Sequence, residues 1–281
     1  MDYQTRAATN KVLVYVFLII AGLFIVFPVF VVVSQSFMHS NEIIRWPPIL
    51  VPNAPTIENY VHLFGRPDLM LPRWLFNSLF VSTTVTLLTL GLAAPAAYAF
   101  ARLRFPGRQP LFFLFLATIT IPVQVTQIPN YLLMHDLKFL DKYPALILPS
   151  VASVFGVFLL RQFFMSIPKE LEEAAILDGA TYWGLFLRII VPLSTSSLTA
   201  LGIFVFLANW NDLFWPLLVT NHLDMRTLPV GLTVLNSDYG ALDRGLVLAG
   251  ATFASIPVLI VYVIFQRNII KGIAMTGMGG Q

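Results

Sequence analysis

The residues able to do chemistry fall in two kinds of place. One is an acidic stretch, Glu173-Ala174-Ala175 followed by Asp178-Gly179-Ala180 and then by Ile189-Ile190-Val191-Pro192, a polar interruption spanning about 165–193 between long apolar runs. An ordered acidic loop on one face of so apolar a chain implies something on that face to be touched. The other is a scatter of amides inside apolar runs: Gln124, Gln127 and Asn130 with Tyr131, and Asn209, Trp210, Asn211 and Asp212 close to Trp215. Polar side chains are costly in lipid and turn toward a bundle interior or a cavity. Amides beside aromatic rings suit a hydroxyl-rich solute, with Trp210 and Trp215 covering its apolar faces; hydrogen bonds between helices are the competing use.

Catalytic and metal chemistry find no such footing. No Gly-x-x-x-x-Gly-Lys-[Ser/Thr] phosphate loop occurs, so no ATPase site of that type is expected on this chain. His39, His62, His135 and His222 stand at unrelated spacings, and the absence of Cys removes disulfides and thiolate ligands. No catalytic residue, metal or bound cofactor is expected. A net charge of +3 needs no nucleic-acid partner, because basic residues flanking membrane helices already serve orientation and anionic lipid.

What must position these residues is a bundle of membrane helices. With 57% hydrophobic and 11% charged residues and a mean hydropathy of +0.79, the chain departs from soluble averages of roughly a quarter charged. A span needs about twenty apolar residues, and six runs meet that length: about Val12 to Val33, Trp74 to Ala101, Leu111 to Leu133, Pro144 to Phe164, Ser197 to Thr220 and Leu246 to Phe265. Barrel strands alternate in short segments of roughly ten residues, whereas Leu13 to Val33 is apolar almost throughout. The first run exceeds the roughly 7 to 15 residues of a cleavable signal core and reads as a retained span.

Orientation follows the basic residues. With the amino terminus inside, Arg6, Lys11, Arg102, Arg104, Arg108, Arg161, Lys169, Arg188, Arg267 and Lys271 are cytoplasmic. Arg45, Arg66, Arg73, Lys138, Lys142, Arg226 and Arg244 lie outside. The outer segment Ser34 to Arg73 carries Pro47, Pro48, Pro52, Pro55, Pro67 and Pro72, which forbid one continuous helix. Pro28, Pro95, Pro122, Pro129, Pro216 and Pro257 sit inside spans, where proline bends a helix and frees carbonyls.

Within the acidic stretch the local signals predict two short helices. Ser166 caps one beginning near Pro168, with Glu170, Glu172 and Glu173 toward the positive end of its dipole. Leu171, Ala174 and Ala175 share a face. Gly179 suits the left-handed residue that ends such a helix. Thr181 caps a second helix in which Trp183, Phe186, Leu187 and Ile190 form a stripe until Pro192 stops it. Asp178, near a carboxyl end, is expected to accept a local hydrogen bond.

The spacing Glu173-Ala174-Ala175, three residues, Gly179, nine residues, Ile189-x-Val191-Pro192 resembles the coupling loop of ABC importer permeases, with Val191 where that family usually has Leu. Three further segments look like the maltose-type carbohydrate permease with a Gly-rich tail: Trp210 to Leu218, Thr227 to Leu232, and Gln266 to Gly272. Ser196 stands where the family often has a second Pro. The resemblance implies an all-α, six-span, type I importer permease, a single transmembrane domain over 1–281 with both termini cytoplasmic in a prokaryotic inner membrane. It implies a second homologous permease, two cytoplasmic ATPase subunits carrying ATP and Mg, and an outer solute-binding protein. On it, Glu173, Ala174, Ala175, Asp178, Gly179, Ala180, Ile189 and Pro192 couple to the ATPases. The tail residues Lys271, Gly272, Met275 and Gly277 reach toward the same partners. An ion-coupled secondary transporter is the alternative; it needs intramembrane acidic relays, and Asp212 is the one acid within a span.

Overall fold

The computed structural model describes residues 3–66, 69–236 and 243–277, with side chains between Lys11 and Gln266 within those ranges. Among them every regular element is helical. α1 (Tyr3–Gln35) precedes the proline-rich segment, which holds only two short helices, α2 (Ser40–Ile43) and α3 (Glu58–Gly65). α4 (Leu71–Arg102), α5 (Arg108–Ala117), α6 (Val123–Asp136), α7 (Tyr143–Ile147) and α8 (Val154–Ser166) follow. The acidic interruption holds α9 (Glu170–Leu177), α10 (Tyr182–Leu185) and α11 (Val191–Leu193). α12 (Thr195–Trp210), α13 (Phe214–Val219), α14 (Leu228–Val234) and α15 (Arg244–Gly277) complete the order.

Among the described residues three helices are long and apolar enough to cross a membrane by themselves, Lys11–Gln35, Leu71–Arg102 and Arg244–Gln266, and three bent pairs raise the number to as many as six if each pair is one span. Of the prolines expected to bend spans, Pro122 stands at one of these breaks. The run from Leu111 to Leu133 is α5 and α6, meeting at 94°. Ile121 is extended, with ψ 115°, as a residue before proline must be, and Pro122 has no N–H to carry the ladder on. The run from Pro144 to Phe164 bends by 45° and restarts where Ser153 Oγ accepts the Gly156 N–H at 2.9 Å. The run from Ser197 to Thr220 breaks after Trp210, and Asp212 Oδ1 opens α13 by accepting the N–H groups of Phe214 (3.1 Å) and Trp215 (3.4 Å).

The chain divides into two compact units, Met1–Leu69 with Leu232–Ile256, and Met70–Gly231 with Pro257–Gln281. In the first, the Asn59 amide donates to the carbonyls of Ser36 and Met38, both at 2.8 Å. Ser40 Oγ donates to Asp243 Oδ1 at 2.9 Å, and that oxygen also accepts the Leu246 N–H, capping α15. The proline-rich segment is thereby tied down by hydrogen bonds from its two short helices.

In the second unit α8 and α12 pack against α4. Small residues on α4, Ala93, Ala94 and Ala97, meet Val157, Leu160, Phe164 and Leu201 in a cluster that also takes in Ala175, Leu185, Phe186 and Ile190 of the acidic interruption. At the other end of α4, Trp74 is fully buried and its ring occupies the position a Cβ on Gly231 would need, 2.1 Å away. The acidic element is therefore seated on the same helix whose far end is fixed by Trp74.

Candidate functional site

α9 begins at Glu170 with Lys169 before it and without a side-chain cap. The Ser166 expectation is corrected: that serine closes α8, its Oγ donating to the Phe163 carbonyl at 2.7 Å. The termination matches the sequence logic. The Ala180 N–H bonds to the Ala175 carbonyl at 2.9 Å and the Gly179 N–H to the Ile176 carbonyl at 3.0 Å, a Schellman pair that requires the left-handed residue between. Gly179 is that residue, at φ +81°. Thr181 Oγ1 then accepts the Gly184 N–H at 3.1 Å and starts α10.

After α10 the backbone widens into a π turn over Phe186–Ile190 before α11. Pro192 therefore does not stop the helix; Ser194 does, and Tyr182–Leu193 meets Thr195–Trp210 at 77°. The extra residue in the turn also rotates the expected stripe apart: Leu185, Phe186 and Ile190 are buried, while Trp183 and Leu187 are exposed. Of the expected α9 face only Ala175 turns inward, with Leu171 and Ala174 facing out. Asp178 is exposed and, among the described residues, accepts no hydrogen bond; the Gly184 N–H of α10 goes to Thr181 instead.

The outward face joins acids to apolar side chains. Glu173, Ala174, Asp178 and Gly179 are exposed, next to Leu177 at 89%, Trp183 at 65% and Tyr182 at 64% exposure. Ile189 is half-buried and Pro192 exposed. Solvent-facing Leu177, Tyr182 and Trp183 thus lie beside the carboxylates of Glu173 and Asp178 on one exposed element.

Sequence reasoning missed the inner fastening of this element. Arg102, at the last turn of α4, places Nε 2.8 Å from Glu172 Oε1, with the two side chains only 5% and 14% exposed. Its Nη2 donates to the carbonyls of Phe164 and Ile167, which close α8. Burial raises the Glu172 carboxyl above its ordinary range, against the opposing pull of Arg102 and Lys169. The signal available in the sequence was an arginine closing an apolar span with three acids in the next polar helix; orientation and helix dipole already accounted for both.

The polar residues within the apolar runs separate into two groups. On α6, Gln127, Asn130 and Tyr131 are half-buried and Gln124 is exposed, and among the described residues none of the three amides is hydrogen-bonded. Asn209 and Asn211 instead donate back to the carbonyls of Val205 and Leu207 on their own helix, and Asp212 caps α13. The expectation that Trp210 and Trp215 present indole faces to a solute is corrected. Trp210 is 2% and Trp215 7% exposed; Trp210 stacks on Phe206, and Trp215 Nε1 donates to the Ala145 carbonyl at 2.8 Å. Amphipathic side chains at a helix break went to the core because the break itself needed filling. The expected tail contacts, Lys271, Gly272, Met275 and Gly277, lie where only backbone is described, with α15 running to Gly277.

The family described as "Binding-protein-dependent transport system inner membrane component" matches residues 88–275, a range that holds the whole acidic element. The "Arabinooligosaccharides transport system permease protein AraQ" of Bacillus subtilis is 33% identical over 282 residues, covering 100% of both chains. The protein of that name from Halalkalibacterium halodurans is 35% identical over 257 residues, 91% of each. The "sn-glycerol-3-phosphate transport system permease protein UgpE" of Rhizobium meliloti is 36% identical over 268 residues, 93% of this chain and 95% of the relative. Among solved structures, a chain of a bacterial ABC transporter involved in the import of the acidic polysaccharide alginate superposes with a TM-score of 0.82 at 24% identity, over 95% of this chain and 98% of that one, a likeness of fold.

Proposed function

This chain belongs to the family of binding-protein-dependent transport system inner membrane components, and from that membership we propose that it is one permease subunit of an ATP-driven ABC importer carrying a sugar or oligosaccharide across the cytoplasmic membrane. The chain acts as a single transmembrane domain over 1–281 with both termini in the cytoplasm. It works beside a second, similar permease, two cytoplasmic ATPase subunits that hold ATP and Mg, and an outer solute-binding protein. The permease itself performs no covalent chemistry. Its substrate class is drawn from relatives bearing arabinooligosaccharide and glycerol-phosphate transport names.

The observation that carries this reading is the α9 knob. A helix closed by Gly179 at φ +81° holds Glu173, Ala174 and Leu177 outward, while Ala175 and the following Leu185, Phe186 and Ile190 are packed into the α4 and α8 core. Closure of the ATPases moves the knob, and the knob moves the helices it is seated on, so the permease alternates between two openings. The unpaired amides of Gln124, Gln127 and Asn130 on the bent α6 serve the solute, because broken backbone at membrane depth is stable only against protein or a water-filled cavity.

Because the chain contains no Cys, Leu177→Cys gives a single thiol on the most exposed part of the knob. A short thiol-to-amine cross-linker in native membranes should join it to a nucleotide-binding subunit, and Val51→Cys in the outer segment should not be joined to that subunit. A Leu177→Cys product lacking any nucleotide-binding subunit would refute the docking assignment.

A further inference from the structure

The acidic element is attached to the spans by two physically different contacts. One is apolar: Ala175, Leu185, Phe186 and Ile190 lie against Ala97, Tyr98, Leu160 and Phe164. Such contacts are non-directional and tolerate sliding. The other is the buried Arg102 group, whose guanidinium reaches three chain segments at once. It extends from the end of α4 to the closing carbonyls of α8 and to the first turn of α9 through Glu172.

A planar guanidinium offers donors in a fixed fork. Its Nη2 hydrogen bonds set Arg102 on the α8 carbonyls, and the charge so placed holds Glu172 of α9 as an ion pair without hydrogen-bond alignment. Buried ion pairs contribute little net stability when both partners are replaced, and fixing a register is their best-attested use. The fork also serves the carbonyls that a helix end leaves without intrahelical partners. α4, α8 and α9 are thereby locked at one point, and a force applied to α9 turns α4 and α8 as one body.

We propose that Arg102 is the positioning residue of the coupling element, fixing α9 to α4 and α8 through Glu172 and the Phe164 and Ile167 carbonyls, so that movement of the knob becomes movement of the pathway helices. This rests on the permease reading above. Arg102 is enclosed by its own chain, its side chain 5% exposed. Its role is transmission, and its loss should separate ATP hydrolysis from transport without preventing assembly.

The test uses the full complex reconstituted in proteoliposomes with its solute-binding protein. Arg102→Lys keeps the charge and loses the fork; Glu172→Gln keeps the shape and loses the charge. Solute moved per ATP hydrolysed should fall by roughly tenfold in Arg102→Lys, within the five- to 150-fold range typical of coupling between sites. The double variant should be no worse than the worse single variant, because both act through one joint. Arg104→Gln, an exposed neighbour, should match wild type. Transport per ATP unchanged in Arg102→Lys, or losses that multiply in the double variant, would overturn the proposal.

A second measurement is independent of transport. Spin labels at Leu177 and Met165, both exposed, should give one narrow distance distribution in wild type and a broadened one in Arg102→Lys and Glu172→Gln alike. Equally narrow distributions in all three would refute the joint even if one variant assembled poorly. Failure of the permease reading would show differently, as a wild-type complex whose ATP hydrolysis drives no uptake while the labels still report a rigid joint.

Discussion

Replacing Gly179 tests whether the knob works through its backbone shape. At φ +81° a Cβ on this residue would meet no heavy atom within 4 Å, so a larger side chain clashes with nothing in the chain and the whole penalty is conformational. An L-residue in the left-handed region costs roughly 1–2 kcal/mol, more when β-branched. Escaping that region breaks the pair of hydrogen bonds from Gly179 and Ala180 to Ile176 and Ala175, each contributing about 0.5–1.5 kcal/mol net. The strain alone corresponds to a factor of roughly 5–30 in the population of the closed knob. Gly179→Val should therefore lower binding-protein-stimulated ATP hydrolysis of the reconstituted complex by about tenfold, with normal membrane insertion. Gly179→Asn, a residue that adopts this conformation readily, should stay within about twofold of wild type, the usual range for a surface substitution. Asn as damaging as Val would refute the backbone argument and show that Gly179 is needed for close approach of a partner; Val as active as wild type would refute both.

Glu173 is exposed, so Glu173→Lys should insert and assemble while abolishing stimulated ATP hydrolysis; normal uptake would remove Glu173 from the contact surface. Asp212 holds the start of α13 through an oxygen that Asn also possesses, so Asp212→Asn should keep substantial uptake, whereas Asp212→Ala should lose about 1 kcal/mol of helix capping, read as a lowered melting temperature. Burial raises the Glu172 carboxyl in spite of Arg102. The folded state thus favours the protonated form, and stability falls as pH rises through that raised range. Glu172→Gln removes this cost but leaves the buried Arg102 guanidinium without its counter-ion, the larger effect when one partner of a buried pair is lost. The variant should therefore unfold more easily than wild type at neutral pH, a direct reading by thermal melting. Deleting Ala274 to Gln281 should reduce transport-coupled ATP hydrolysis with insertion intact, and a full rate would show the tail to be dispensable.

What the sequence made legible was local. The Gly179 turn, the Thr181 cap and the presence of apolar spans each depend on a few adjacent residues or on an average over about twenty, and the structure places them as expected. Features set at a distance were not legible. A π turn leaves no residue signature, so the facing of Trp183, Phe186, Leu187 and Ile190 could not be read from a 3.6-residue period. Pro122 was visible as an interruption, but the 94° angle depends on what packs around it. The indoles of Trp210 and Trp215 are amphipathic, equally suited to a solute or to a core, and only the break after Trp210 decided for the core. Arg102 and Glu172 stand seventy positions apart in a chain where each had a sufficient local explanation.

The most direct test of the whole account is uptake into proteoliposomes holding this chain, its partner permease, the ATPase pair and the solute-binding protein, loaded or not with ATP and with or without an imposed proton gradient. The account predicts accumulation of a sugar or related polyol that requires internal ATP and the binding protein and is indifferent to the gradient. Accumulation that follows the proton gradient, persists without ATP and is lost in Asp212→Asn would contradict it and establish an ion-coupled carrier.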